Sequence, residues 1–211
     1  MESWIDMEGN PYFYGLSSHE NVEIKLYNKA NPLKPWKTMG RMHDKYLIAD
    51  GKIYILGGRN TYNYFLGDFP GHKNFDRDVL VVCDEPQKDN SVNQLWNYFE
   101  TIWEQEDCRY FHNSKKLADR QSVKKAVLEL QEGYQQYFEV NKEKICDTDY
   151  ADETFETEKI ILLSNPIHTQ AKEPVVWYQL GELMKNAKER VKIHTPYICL
   201  LYTSDAADDG E

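Results

Sequence analysis

The sequence predicts an α/β fold, in which strands and amphipathic helices follow one another along a single chain. Residues 21–27 alternate apolar and charged side chains, which is typical of a half-buried strand. Residues 79–83 form a short apolar run of the kind found in a buried strand. Residues 91–106 repeat their apolar side chains at helical spacing, as an amphipathic helix does. A sheet covered by helices would bury all of these apolar surfaces.

More elements of both kinds occur later in the chain. Residues 122–138 and 175–188 have the apolar spacing of amphipathic helices, and residues 159–164 and 191–195 have the composition of strands. Between these parts, residues 147–158 carry six acidic side chains and no basic one. Such a run of like charge favours an exposed linker, so we expect structured regions on either side of it.

Composition narrows the class of protein. The 211 residues are 41% hydrophobic and could bury one sizeable core. No apolar run approaches the ~20 residues of a membrane helix, and no signal-peptide pattern follows Met1. The four cysteines form no C-x-x-C pair, which fits reduced thiols, and we therefore expect a cytoplasmic protein. The net charge of -10 argues against a generally basic surface for nucleic acid.

The segment with the most chemical information is residues 41–60, RMHDKYLIADGKIYILGGRN. Its polar and glycine positions are spaced as H-x-K, four residues, D, six residues, G-G-x-N. They are His43, Lys45, Asp50, Gly57, Gly58 and Asn60. The spacing predicts a local structure that brings the two ends of the segment together.

Residues 42–49 have the composition of a strand. Side chains two apart on a strand share a face, so His43 and Lys45 should point the same way and Asp44 the opposite way. The Asp50-Gly51 pair is a strong hairpin signal and should fold residues 52–56 back along the first strand. Asp50 itself is better explained as a hairpin residue than as a contact to substrate.

The hairpin would assemble an oxyanion pocket around His43. The imidazole can attack phosphorus and form a covalent phosphohistidine, while Lys45 and Asn60 stabilise charge on the non-bridging oxygens. Gly57 and Gly58 form either a simple turn or, as we favour in this context, a close backbone approach to the phosphate. These groups would need no metal or other cofactor.

A carboxylate is expected to hold the tautomer of the histidine. We favour Asp78, because it opens the apolar run of residues 79–83 and would lie beside the hairpin, and Asp76 is the second choice. Arg41 is a further candidate for phosphate contact, although an exposed arginine beside a motif is more often a surface residue. A metal site built from His72, Cys108 and His112 would need partners that their spacing does not suggest.

The motif of residues 41–60 resembles the signature of the phospholipase D superfamily. The preceding LYNKANPLKPW is similar to the corresponding segment of bacterial cardiolipin synthase-like members, and NAKERVKIHTPYI is similar to the start of their second repeat. The resemblance implies a mixed sheet with helices on both faces, present here in incomplete form. Residues 1–146 would be the last part of a first half-domain, 147–158 a linker and 159–198 the start of a second.

Two features of the chain depart from that family pattern. Members with two repeats use one histidine as nucleophile and a second as general acid, but the sequence contains a single H-x-K, since His72 precedes Asn74 and His194 precedes Pro196. Residues 199–211 resemble the translation of a sequencing-library adapter, so we expect a non-native tail. We also expect that the natural protein continued past Ile198 and carried the second H-x-K, with the general acid, in that part.

By resemblance, the expected activity is phosphodiester hydrolysis or phosphatidyl transfer on phospholipids, with peripheral contact to a membrane. The first alternative is a nuclease or other phosphodiesterase of the same superfamily. A second is a catalytically inactive fragment that at most binds phosphate groups. Pairing of two copies of His43 across a symmetric dimer would restore the second histidine, but the segment similar to a second repeat disfavours it.

Overall fold

A computed structural model describes residues 3–61, 65, 71–83, 90–112, 114–168 and 173–194 of the chain. Its backbone falls into two units, Met1–Lys172 and Glu173–Glu211. The structure combines helices with small sheets, which confirms the predicted α/β class at the general level. Within the described ranges every strand pair is antiparallel, whereas a mixed sheet was expected.

The elements of the first unit begin with two short helices and end with a long one. They are α1 (Ser3–Met7), α2 (Pro11–Ser17), β1 (Lys25–Tyr27), a 3-10 helix (Pro35–Met39), β2 (Lys45–Ala49), β3 (Ile53–Gly57), β4 (Asp78–Val82), α3 (Ser91–Trp103), β5 (Cys108–Tyr110), α4 (Lys115–Ala118) and α5 (Gln121–Cys146). The second unit contributes α6 (Val175–Asn186). The predicted helices at 91–106, 122–138 and 175–188 are therefore confirmed.

The hairpin of β2 and β3 forms around Asp50 and Gly51. Both residues have left-handed backbone conformations, with φ of 52° and 65°. The Lys52 N–H donates to the carbonyl oxygen of Ala49 at 3.0 Å and closes the turn. The register pairs Ala49 with Ile53, so Lys52 is one residue more than a strict two-residue loop has. The predicted hairpin is confirmed, although β2 starts at Lys45 and not at residue 42.

Helix α3 covers one face of the sheet β2-β3-β4. Tyr54 and Val81 from the sheet form a buried cluster with Val92 and Leu95 from the helix. The helix starts at Ser91, because the side chain of Asn90 accepts a hydrogen bond from the Asn93 N–H at 2.8 Å and caps the first turn. The apolar stripe predicted for this helix therefore belongs to the core.

A second cluster forms where α2 packs on the start of α5. Tyr14 stacks on Phe111 with 5.5 Å between ring centroids, and both are buried with Val123. Gly15 lets the helices approach, because a Cβ there would lie 2.7 Å from a methyl group of Val127. Helix α2 reaches only these first turns of α5. Leu130 and Tyr134, further along the helix, are exposed.

Two predicted strands are wrong. Residues 159–164 form no strand. The Leu162 N–H donates a hydrogen bond to the Gln94 side chain at 3.0 Å and not to a neighbouring strand, and the Leu162 side chain packs against the α3 cluster. Residues 191–194 also lack strand structure, and Thr195 lies outside the described residues. The acidic segment 147–158 is exposed and forms neither helix nor strand. The expected tail, 199–211, lies outside the described part.

We predict that Leu95→Ala lowers the free energy of unfolding by about 2–5 kcal/mol, because it opens a cavity in the α3 cluster. Leu95 is 1% exposed. Leu128→Ala is the matched control: that leucine is 58% exposed on α5, and its loss should change stability by less than about 0.5 kcal/mol. Urea unfolding measures both. Equal losses in the two variants would contradict the assignment of the core.

Candidate active site

Three residues form a row across one end of the sheet. Lys45 pairs with Gly57 on one side, and Gly57 pairs with Asp78 on the other. Residues directly opposite one another in neighbouring strands project from the same face. Because the central residue has no side chain, the Asp78 carboxylate can occupy the space over Gly57.

His43 lies at the entrance to this row. The Lys45 Nζ is 2.9 Å from the His43 Nδ1, and it also donates to the carbonyl oxygen of His43 at 2.7 Å. The His43 side chain is exposed. The expected meeting of the imidazole with the ammonium is confirmed, although His43 precedes the first residue of β2.

Lys45 lies in a partly buried environment beside two carboxylates. Partial burial lowers the pKa of Lys45, and the charges of Asp44 and Asp76 offset part of that effect. The ammonium group has therefore already lost some of its hydration in the folded chain. An anionic ligand would recover electrostatic energy there with less desolvation cost than at a fully exposed lysine.

Asp78 is held by an arginine. Its Oδ2 accepts a hydrogen bond from the Arg59 Nε at 2.6 Å. Its Oδ1 is buried over Gly57 and has no hydrogen-bond partner among the described residues. No hydrogen bond joins Asp78 to His43 within that part of the chain. The expected orienting contact is thus not formed in this conformation, because Arg59 engages the carboxylate.

Asp76, the second choice, lies beside Gly58. A Cβ on Gly58 would be 3.0 Å from both carboxylate oxygens of Asp76. Gly57 and Gly58 therefore make room for two carboxylates of the same chain. Their predicted role, a close approach of the backbone to phosphate, competes with this packing.

Arg59 has a role at the site that the sequence did not predict. Besides its bond to Asp78, it donates through Nη1 to the carbonyl oxygen of Phe65 and through Nη2 to that of Asp76, each at 2.8 Å. The guanidinium group therefore ties the end of β3 to the segment that carries both carboxylates. Arg59 occupies an unspecified position of the motif, and only its charge opposite the acidic residues 76 and 78 could have signalled this role.

The remaining motif residues, Asn60 and Asp50, lie at opposite ends of the hairpin of β2 and β3. Asn60 follows β3, is half-buried, and its amide forms no hydrogen bond with any described residue. Asp50 is exposed in the turn, five residues and about 17 Å along the strand from Lys45. That separation agrees with a structural role for Asp50 and not with contact at the His43 end.

Asp44 anchors the motif to helix α3. Its carboxylate accepts a hydrogen bond from the Tyr98 hydroxyl at 2.6 Å, on the side opposite His43 and Lys45. Tyr46 lies against Tyr98, with 6.3 Å between ring centroids. Burial, followed by the charge of Asp44, raises the pKa of Tyr46 to about 12. Burial and the hydrogen bond to Asp44 also raise the pKa of Tyr98.

The described residues include no group of three or more His, Cys, Asp or Glu side chains that could hold a metal ion. His72 bonds to Asn74 at 2.9 Å, and His112 pairs with Glu8 at 3.2 Å. In the same part of the chain, no helix has the length and apolar character needed to cross a membrane.

Comparison with known proteins gives no relative for this chain. It matches no family model, no curated protein and no solved structure.

We predict that Gly57→Ala lowers the free energy of unfolding by about 1–3 kcal/mol, because the new Cβ would clash with Asp78 Oδ1. Gly133→Ala is the matched control. A Cβ at Gly133 meets nothing within 4 Å, so alanine should stabilise helix α5 by about 0.5–1 kcal/mol. Thermal and urea unfolding test the opposite signs. Adding Asp78→Ala to Gly57→Ala should also give a smaller loss than the sum of the single changes.

We predict that Tyr98→Phe costs about 1 kcal/mol of unfolding free energy at pH 7, through loss of the hydrogen bond to Asp44. The folded pKa of Tyr98 is raised, so its contribution is complete below the unfolded pKa of about 10 and falls as pH rises above it. The gap between wild type and variant should therefore narrow above about pH 10.

Urea unfolding at several pH values between 7 and 11 tests this expectation. Tyr134→Phe changes a phenol that is 65% exposed and should leave the stability at pH 7 unchanged. A gap for Tyr98→Phe that stays constant or widens at alkaline pH would contradict the proposed network.

Proposed function

We propose that this chain carries a phospholipase D-like site for nucleophilic substitution at a phosphodiester. The observation that supports it is the meeting of the His43 Nδ1 and the Lys45 Nζ at 2.9 Å, at the end of a row that also holds Gly57 and Asp78. An imidazole beside an ammonium can bind a phosphoryl group and attack it.

The contact with Lys45 determines which nitrogen of His43 is reactive. An ammonium group only donates hydrogen bonds, so Nδ1 accepts and the neutral ring carries its proton on Nε2. A protonated Nε2 has no lone pair for attack. The nucleophilic form requires the proton on Nδ1, held by an acceptor, with Nε2 facing phosphorus.

Binding of substrate would supply that change. The phosphate anion draws the Lys45 ammonium from the imidazole to a non-bridging oxygen, which releases Nδ1. The exposed ring then loses the Nε2 proton to water and takes a proton from water on Nδ1. The buried Asp78 Oδ1 lies in the same row of the sheet and has no partner among the described residues, so it is the candidate acceptor for Nδ1–H. One hydrogen bond would then satisfy both groups, while Arg59 keeps Oδ2 in place.

In the first step Nε2 of His43 forms a bond to phosphorus, and the bond from phosphorus to the leaving oxygen breaks. The leaving alkoxide takes a proton from a general acid. Water or an alcohol then attacks phosphorus and gives its proton to the conjugate base of that acid. The bond from phosphorus to Nε2 breaks, which restores the imidazole and completes hydrolysis or transfer respectively. The sequence holds one H-x-K, so the acid comes from another group or from His43 of a second copy.

Phospholipid is the substrate class that we favour. Leu47 and Ile55 lie on the same sheet face as Lys45 and are 57% and 42% exposed, so apolar surface adjoins the phosphate position. Acyl chains can cover such a surface. A nucleic-acid substrate shares the chemistry but would be repelled by the net charge of -10.

We predict a burst of about one nitrophenolate per chain when the protein meets bis(4-nitrophenyl) phosphate, because this leaving group departs without a proton donor. His43→Ala should abolish the burst, whereas the control His72→Ala, at another exposed histidine, should keep it. A phosphorus-labelled diester should leave label on His43 that is stable in alkali and labile in acid.

A burst that survives in the folded His43→Ala variant would overturn the proposal. Label on another residue type would overturn it as well. Vesicles that contain phosphatidylglycerol, compared with single-stranded DNA as substrate, separate the lipid from the nuclease alternative.

A further inference from the structure

A basic cleft lies apart from the His43 motif. Its volume is about 210 Å³, and it is formed by the loop after β1 together with β5. Four of its nine lining residues are cations, in a chain whose net charge is -10. They are Lys29, Lys34, Lys37 and Arg109. The cleft therefore concentrates positive charge in a chain whose net charge is negative.

Two of these four cations form ion pairs with carboxylates of the chain, and the other two form none with any described residue. Lys37 pairs with Asp107 at 3.1 Å, and Lys29 pairs with Glu8 outside the cleft. Lys34 and Arg109 form no ion pair with any described residue. With both pairs counted as neutral, the cleft keeps a charge of two positive units.

The walls of the cleft are fixed before any ligand binds. Asn28 has a left-handed backbone with φ of 45°, and its side-chain amide donates to the carbonyl oxygens of Lys37 and Gly40, each at 2.7 Å. The Asn28 N–H donates to the carbonyl oxygen of Asp107 at 2.8 Å, which ties the loop to the residue before β5. A preformed site spends little free energy on ordering its backbone when it binds.

We propose that this cleft binds a phosphate monoester or free phosphate, a compact dianion. Arg109 can offer paired N–H donors to two phosphate oxygens, and Lys34 adds a point charge. The doubly charged anion matches the uncompensated charge. A long polyanion is disfavoured, because the net charge of the chain, -10, would repel it. This binding does not depend on the chemistry of His43.

The test is a titration of inorganic phosphate, followed by calorimetry and NMR shifts at constant ionic strength. All chains in it carry Lys45→Gln, which removes the phosphate position proposed beside His43. We expect saturable binding of one phosphate per chain. The double variant Lys34→Gln/Arg109→Gln should weaken it at least about tenfold. The control Lys115→Gln/Lys116→Gln removes the same charge from α4 and should leave binding within a factor of about two.

Several results would overturn the proposal: no saturable binding, equal weakening in both double variants, or retained binding in the folded Lys34→Gln/Arg109→Gln chain. Binding of single-stranded DNA through these residues, without phosphate binding, would also overturn it. Vesicles with phosphatidic acid, compared with glycerol 3-phosphate, separate a lipid headgroup from a soluble ligand. Because His43→Ala leaves the cleft intact, failure of the phosphodiesterase proposal would not remove phosphate binding.

Discussion

The missing side chain at Gly57 is the constraint on which the candidate site depends. Antiparallel pairing places Lys45 and Asp78 on either side of this residue. Without a Cβ in the middle, the Asp78 carboxylate can lie over the strand, where Arg59 holds one of its oxygens. Any larger residue would push the carboxylate out of this position.

The side chains on the two faces of the motif have different roles. On one side, Asp44 is fixed to helix α3 by the hydroxyl of Tyr98. On the other side, His43 and Lys45 face the open end of the sheet. Alternation along the strand thus separates the anchoring groups from the reactive groups. A packed helix can stabilise the motif without filling the space that a substrate needs.

The features that could be predicted from the sequence are those that depend on residues close together in the chain. The hairpin followed from Asp50-Gly51, and helix α3 followed from its apolar spacing, because both signals lie within a few residues. The bonds from Arg59 to Asp78 and from Tyr98 to Asp44 join residues 19 and 54 positions apart. They depend on strand register and on helix placement, which no local pattern specifies. The apolar residues 159–164 were misread as a strand, because Leu162 packs against the α3 cluster without strand pairing and an apolar composition suits both arrangements.

The Asp50-Gly51 turn also bears on the order in which the site comes together during folding. Two left-handed residues join strands that are neighbours in the chain, so the ends of β2 and β3 can meet on the microsecond timescale of hairpin formation. Asp76 and Asp78 reach the sheet only when a longer loop of the chain closes, and closing a longer loop costs more chain entropy. The imidazole and the ammonium would therefore be in place first, and the carboxylate that completes the row would arrive last.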